Sequence, residues 1–158
     1  MDDLWRFALS SWRIPGVEES CLQLQDKHGF QVALLLAGAW LACRGTVPDA
    51  AMVKAMQDRL APWKVRLQSL RGLRREASTQ AAWQEWKRLL ADAELEAERL
   101  ALSDLEQLLQ AYPRAGENAQ PVLEWFLLIN GEAQPATERL AALSQLASLL
   151  TDKWCPPA

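Results

Sequence analysis

The sequence has little of the chemistry that most enzyme and metal sites require. Its 158 residues include one histidine, His28, and one tyrosine, and only three cysteines. A single histidine excludes HExxH zinc sites and di-iron bundles built on two Glu-x-x-His pairs. The sequence also has no CxxC, P-loop, GxGxxG or GxSxG motif. We therefore expect a chain that is not an enzyme, with no catalytic residue, no metal and no cofactor.

Cysteine is too scarce and too unevenly spaced to suggest a disulfide framework. An odd number of cysteines fits a reducing compartment better, so we expect a cytoplasmic protein. No basic region precedes an apolar run at the N-terminus, and we expect no secretory signal. The longest apolar run, residues 32–43, falls short of the roughly 20 residues that span a bilayer.

The overall composition is that of an ordinary globular protein. Apolar residues make up 50% of the chain and charged residues 23%. The net charge of −3 argues against bulk affinity for nucleic acid. A chain of this length can bury roughly 70% of its unfolded surface in one core. We expect residues 1–158 to form a single helical domain, of which the C-terminal part, 113–158, carries no motif that we can assign.

Helical spacing dominates the chain, and no segment alternates in the manner of a strand. Alanine and leucine, both strong helix formers, are abundant, while β-branched residues are few. The pattern predicts an all-α bundle of about seven to eight helices, with one long helix near 79–111 that carries two apolar lines. We expect Pro62 to separate two of the helices. The predicted helices span residues 3–13, 17–28, 30–44, 50–60, 63–77, 79–111, 122–130 and 135–153.

Cys21 and His28 lie on one face of the second predicted helix, seven residues and about 10 Å apart. They cannot touch each other, although Cys43 on the next helix could approach either. A buried apolar cysteine and a helix-ending histidine are the common situation, and they compete with a Cys–His nucleophile pair.

Charge is placed unevenly along the chain. Residues 59–75 contain six bases and no acid, whereas residues 78–158 contain twelve acids and six bases. Arg66 and Arg74 fall in or at the edge of the apolar face of their helix, where an unpaired charge would be costly. The long helix offers Glu94 and Glu98 as partners. One interpretation is therefore a structural ion-pair layer made of Arg66, Arg74, Glu94 and Glu98.

A second interpretation of the same bases is an anion site. Arg66, Arg71 and Arg74, with Arg75 beside them, would present guanidinium groups to a phosphate or carboxylate in a cleft between helices. A nucleic-acid surface is the weakest alternative, because the chain is acidic and has no groove-reading motif.

Eight tryptophans are the compositional oddity of the chain. Tryptophan chiefly supplies bulk in a core, but tryptophan and arginine together are typical of interface hot spots. Trp63, Trp83 and Trp86, close to the basic helix, are the candidates for such a role. The sequence thus predicts a non-enzymatic interaction or adaptor protein that binds an unknown protein partner or itself. A binding protein for a small anionic ligand is the alternative.

Several segments resemble a proteobacterial family of short, all-helical proteins of unknown function. The resemblance covers residues 4–110 and rests on LWRFAL at 4–9, PGVE at 15–18, CLQLQD at 21–26, PW at 62–63, LRGLRR at 70–75 and ELEAERL at 94–100. It implies a cytoplasmic, bacterial, single-domain protein, and it transfers no catalytic residue.

Overall fold

A computed structural model describes residues 3–112, 116–132 and 135–155 of the chain. Within these residues there are seven α-helices and no strand, which confirms the all-α prediction. The helices are α1 (Asp3–Trp12), α2 (Val17–His28), α3 (Val32–Cys43), α4 (Ala50–Glu76), α5 (Gln84–Leu109), α6 (Val122–Asn130) and α7 (Thr137–Trp154), with a 3-10 turn at Ala81–Trp83 before α5. In the part of the chain that is described, no helix is long and apolar enough to span a membrane.

Helix α3 forms the centre of the bundle, because it is apolar on nearly every side. Helices α1, α2, α5, α6 and α7 all pack against it. Gly38 lets α6 approach closely, since a Cβ atom there would lie 2.9 Å from Cδ1 of Ile129. Gly45 follows α3 with a φ of +81°, and a Cβ atom there would lie 2.6 Å from the carbonyl oxygen of Gly116. Gly45 is thus required by a close approach of backbone, whereas Gly38 makes room for the side chain of Ile129.

Long-range hydrogen bonds tie the ends of the bundle together. The buried Glu106 carboxylate on α5 accepts a hydrogen bond at 2.7 Å from the backbone amide of Leu4, in the first turn of α1. This is the position where a negative charge complements the helix dipole. Trp154 at the end of α7 donates to Ser11 Oγ at 3.0 Å.

The predicted break at Pro62 is wrong, because α4 continues through it from Ala50 to Glu76. A proline inside a helix leaves the carbonyl four residues earlier without its usual amide. Here that carbonyl belongs to Asp58, and both Asp58 and Pro62 are exposed, where water can satisfy the group. Leu60 and Leu67, on either side of Pro62, are both buried. Their packing keeps the two halves of α4 in one continuous helix.

The expectation that the cysteines stay reduced is also corrected. Cys43 at the end of α3 and Cys155 after α7 form a disulfide across a sequence separation of 112 residues, with their Cα atoms 6.0 Å apart. Cys21 is free and buried. Burial raises the pKa of the Cys21 thiol to about 12, so it stays protonated and unreactive.

The α4–α5 hairpin belongs to two regions. Its open end, residues 50–60 of α4 and 101–109 of α5, contributes to the main hydrophobic core. We call this core and the helices around it the body. Beyond it, residues 63–100 extend as a two-helix arm whose own buried apolar residues, Leu67, Leu90 and Ala97, lie outside the main core. The predicted long helix is shorter than expected, since α5 begins at Gln84 and ends at Leu109.

Candidate interaction surface

Ion pairs join the two helices of the arm. Arg74 Nε lies 2.5 Å from Glu94 Oε1, and Arg74 Nη2 lies 3.4 Å from Glu94 Oε2. Arg71 reaches the same carboxylate at 4.0 Å and Glu98 at 3.5 Å. Glu94 is buried between the helices. Arg71 and Arg74, two residues of the predicted anion site, are thus paired with carboxylates of the neighbouring helix.

The surroundings of this cluster shift two pKa values in the same direction for different reasons. The hydrogen bond to Glu94 raises the pKa of Arg74, which stays charged at any accessible pH. Burial raises the pKa of Glu98, and the nearby Glu94 adds to this, while Arg71 works against it. Ionisation of Glu98 therefore lowers the free energy of unfolding. Glu94, by contrast, accepts a direct hydrogen bond from the Arg74 guanidinium group.

Arg66 lies elsewhere, away from Glu94 and Glu98. Its guanidinium carbon lies 4.4 Å from the centre of the Trp63 ring, in a cation–π contact on the exposed surface of α4. The Trp63 indole in turn donates to Asp104 Oδ2 at 2.7 Å. Arg75 is exposed at the last turn of α4. The structure therefore separates the predicted arginine group into a paired part and a part that faces solvent.

An open groove lies where the arm meets the body. Its volume is about 420 Å³. Arg59 Nη1 lies 3.9 Å from Asp104 Oδ1 on one wall of the groove. Arg59 and Asp104 were not among the predicted site residues, although Arg59 lies seven residues before Arg66 and Asp104 four residues after Leu100, each on the same helix face. The groove is lined by Ala55, Asp58, Arg59, Pro62, Trp63, Arg66, Asp104 and Leu108.

The apolar stripe of α5 is only half covered. Leu90 and Ala97 are buried against α4, but Leu89 is 51% exposed and Leu100 is 38% exposed. Trp86 on the same stripe is 44% exposed, and Trp83 at the tip of the arm is 43% exposed. The apolar stripe of a helix is normally packed against the rest of the protein. Within the described chain, nothing covers the exposed part of this stripe.

The uncovered part of α5 and a row on α4 open on the same side of the arm. The groove shows that Arg66 of α4 and Asp104 of α5 share one side. Residues three, four or seven positions apart lie on the same face of a helix. This side of each helix can therefore be followed from Arg66 and from Asp104 toward the tip of the arm. We call the resulting surface the exposed apolar face. It consists of Leu70 and Leu73 on α4 and of Trp86, Leu89, Ala93 and Leu100 on α5.

The body lies on the other side of α5. Leu102, Leu105 and Leu109 point into the main core, and they sit roughly 140–200° around the helix from Leu100 and Leu89. The body therefore leaves the exposed apolar face unobstructed along the arm.

The described residues offer little for metal or nucleophile chemistry. Within ranges 3–112, 116–132 and 135–155, no group of three or more His, Cys, Asp or Glu side chains could hold a metal ion. The predicted Cys21, His28 and Cys43 do not assemble as a nucleophile site, because Cys21 is buried and Cys43 is bonded to Cys155.

The fold and this surface define an all-α protein with a helical-hairpin arm. Residues 3–105 match the family described as "Protein of unknown function (DUF2390)". The match covers most of the chain, and the protein belongs to that family. It spans α1 to α4 and most of α5, which includes the whole arm. Comparisons with curated proteins and with solved structures gave no match.

Proposed function

We propose that this protein is a non-enzymatic interaction module that binds another protein chain through the exposed apolar face of its arm. The observation that carries the proposal is the half-covered stripe of α5, with Trp86 and Leu89 exposed by 44% and 51%. Isolated exposed apolar residues are ordinary, but a contiguous apolar row next to arginine and tryptophan is characteristic of an interaction site.

Position-specific photo-crosslinking tests this proposal. A photo-reactive amino acid replaces Leu89 on the exposed apolar face in one variant and Ala91 in the control. Both positions are exposed on α5, and helical geometry places them roughly 160° apart. We expect a discrete protein adduct in cells of the source organism from position 89 and none from position 91. Equal yields from both positions, or no adduct from either, would reject the proposal.

Binding of a small anionic ligand is the second candidate function, at a different place from the anion site that the sequence predicts. Arg71 and Arg74 face Glu94 and Glu98, whereas Arg59 and Arg66 line the groove at the base of the arm. Thermal-shift measurements with inorganic phosphate and with citrate test this candidate. A ligand at 100 times its Kd stabilises the fold by about 2.7 kcal/mol. A shift that Arg66→Ala removes would favour the groove, and an unchanged melting temperature would reject it.

The proposal extends to organisation and location. We propose that the whole chain folds as one domain, because α6 and α7 pack on α3 and α2 from the matched segment. We further propose a bacterial, cytoplasmic protein on the strength of the sequence resemblance. This location conflicts with the Cys43–Cys155 disulfide, because a reducing cytoplasm keeps cysteines as thiols. Alkylation of the two cysteines in intact cells tests the location: labelling of both would support the cytoplasm, and protection of both would reject it.

A further inference from the structure

We infer that Cys43 and Cys155 form a reversible thiol–disulfide switch that fixes or releases the last turn of α7. The switch lies in the body, uses none of the residues of the exposed apolar face, and reacts with small dithiols and disulfides. Three features support it: the exposure of the two cysteines, the firm packing around Cys43, and the few contacts that hold the chain next to Cys155.

The three cysteines differ in their access to solvent. Cys43 and Cys155 are each partly exposed, whereas Cys21 is completely buried. Thiol–disulfide exchange requires a thiolate to reach one of the two bonded sulfur atoms. Partial exposure offers such an approach to the Cys43–Cys155 bond in the folded protein, while burial denies it at Cys21.

Cys43 lies on the firmly packed side of the bond. It ends α3, the central helix of the bundle, and its neighbour Ala42 is completely buried. The carbonyl oxygen of Ala42 accepts a hydrogen bond at 2.7 Å from the backbone amide of Gln120, and the backbone of Gly45 packs closely on that of Gly116. We therefore expect Cys43 to keep its place whether or not it is bonded to Cys155.

The chain next to Cys155 is held by few contacts. Leu150 is the last buried residue of α7 within the described chain. Beyond it, the Trp154 indole donates to Ser11 Oγ at 3.0 Å, and its ring centre lies 5.1 Å from that of Phe7. A single hydrogen bond adds little net free energy, because water replaces it when it opens. We therefore expect the disulfide to hold this turn more firmly than the contacts of Trp154 do.

The switch controls the cover over one side of α1. Phe7 and Ser11 are both buried, and the Trp154 indole contacts both of them. When the last turn of α7 opens, the indole leaves and the two side chains meet solvent. Reduction shifts the turn toward this open form, because the bond to Cys43 then no longer limits how far the end of α7 can move.

The chemistry of the switch is exchange with a dithiol. A thiolate of the reductant attacks one sulfur of the Cys43–Cys155 bond, which breaks, and a mixed disulfide forms. The second thiolate of the reductant then displaces the cysteine that is still bound. The protein gains two electrons and two protons, and the dithiol becomes its own disulfide. In the reverse direction, oxidised glutathione takes up the two electrons and two protons and leaves as two thiols.

Alkylation of the folded chain tests whether the bond exchanges without unfolding. The full chain is reduced with dithiothreitol without denaturant and then alkylated with N-ethylmaleimide. Trypsin places Cys21, Cys43 and Cys155 in separate peptides for mass spectrometry. Cys21 serves as the internal control, because its buried thiol becomes accessible only when the body unfolds.

We expect Cys43 and Cys155 to be labelled after reduction while Cys21 stays unlabelled, and we expect oxidised glutathione to restore protection of the pair. Labelling of Cys43 and Cys155 only together with Cys21 would overturn the switch, because the bond would then be reached by unfolding alone. Labelling of the pair that persists after treatment with oxidised glutathione would overturn it as well.

The NMR signals of the indole N–H groups test the release of the last turn. We expect reduction to move the Trp154 signal toward that of a solvent-exposed indole, because its hydrogen bond to Ser11 opens. Trp125 is the matched control, since it donates to the carbonyl oxygen of Thr46 at 3.0 Å inside the body and should keep its signal. Trp154→Phe identifies the Trp154 signal by its loss.

A variant that cannot form the bond completes the test. Cys155→Ser should place the Trp154 signal where the reduced wild type has it, and dithiothreitol should not move it further. A Trp154 signal that stays unchanged when the wild type is reduced would overturn the inference, because the bond would then not control the last turn of α7. Equal shifts of Trp154 and Trp125 would also overturn it, since the change would then involve the whole body.

Discussion

The two regions of the α4–α5 hairpin, body and arm, use the same kind of helix pair in different surroundings. In the body, α5 contacts α4 on one side and α1 and α3 on another, and Leu105 is completely buried. In the arm, among the described residues, α4 is the helix that packs along α5, and the second apolar line of α5 is left exposed at Leu95. The width of the apolar surface on a helix indicates how many neighbouring helices could pack against it. The length and position of the other helices determine how many of them actually do.

Truncation of a buried leucine in each region gives the largest expected effects. Leu105→Ala in the body should lower the free energy of unfolding by about 3 kcal/mol, because the cavity is enclosed on all sides. Leu90→Ala in the arm should cost about half as much, because it is covered by one helix only and the site can collapse. Urea denaturation measures both values. Equal losses would mean that the arm is as tightly packed as the body.

Reduction of the Cys43–Cys155 disulfide should destabilise the body by about 2–4 kcal/mol, the usual range for a native disulfide, since the chain entropy of a loop of more than 100 residues gives an upper value of about 4.7 kcal/mol. The melting temperature with and without dithiothreitol measures this effect. In Cys155→Ser, where the bond cannot form, dithiothreitol should have no effect. A wild type that melts at the same temperature in both conditions would show that the bond is absent or contributes nothing to stability.

The carboxylates of the arm should respond differently to neutralisation. Glu94→Gln weakens the contact with Arg74, and we expect a loss of about 1 kcal/mol at neutral pH. This is below the roughly 1.5–3 kcal/mol of a hydrogen bond to a charged group, because Arg74 is partly exposed. Glu98→Gln should leave stability unchanged or slightly raised. The reverse order of the two variants in urea denaturation would contradict the assignment of Glu94 as the central acceptor.

The dependence of this difference on pH follows from the raised pKa of Glu98. When an acid has a higher pKa in the folded state than in the unfolded state, the folded protein becomes less stable as the pH rises through that pKa. The reason is that the fold disfavours the ionised form of the acid. Any stabilisation by Glu98→Gln should therefore be largest at neutral pH and vanish under acidic conditions. A gain that grows on acidification would contradict a raised pKa for Glu98.

Local sequence rules predicted much of the fold. The bounds of α2 and α6 match the predicted ranges, because Gly29 and Gly131 end these helices in the left-handed conformation. The Pro62 prediction failed because burial of Leu60 and Leu67 overrides a local break. The Cys43–Cys155 bond could not be predicted, since its two ends meet only when α3 and α7 are packed.

The candidate surface shows the same division between local and long-range information. Spacing along α5 identified its apolar stripe and placed Glu94 beside it, and the structure brings Glu94 to Arg74. Spacing could not show that Trp86 and Leu89 would stay uncovered, because this depends on how far the body extends along the hairpin. Arg66 was placed near an acidic partner, but the Trp63 ring is a closer neighbour on its own helix.

Amide hydrogen exchange along α5 tests the contrast between body and arm most directly. Amides of residues 101–109 should exchange only through unfolding of the whole body, while those of residues 86–97 should exchange much faster through local opening. This result would show an arm supported by one helix layer, with an apolar face free to bind. Equal protection along the whole of α5 would contradict the account.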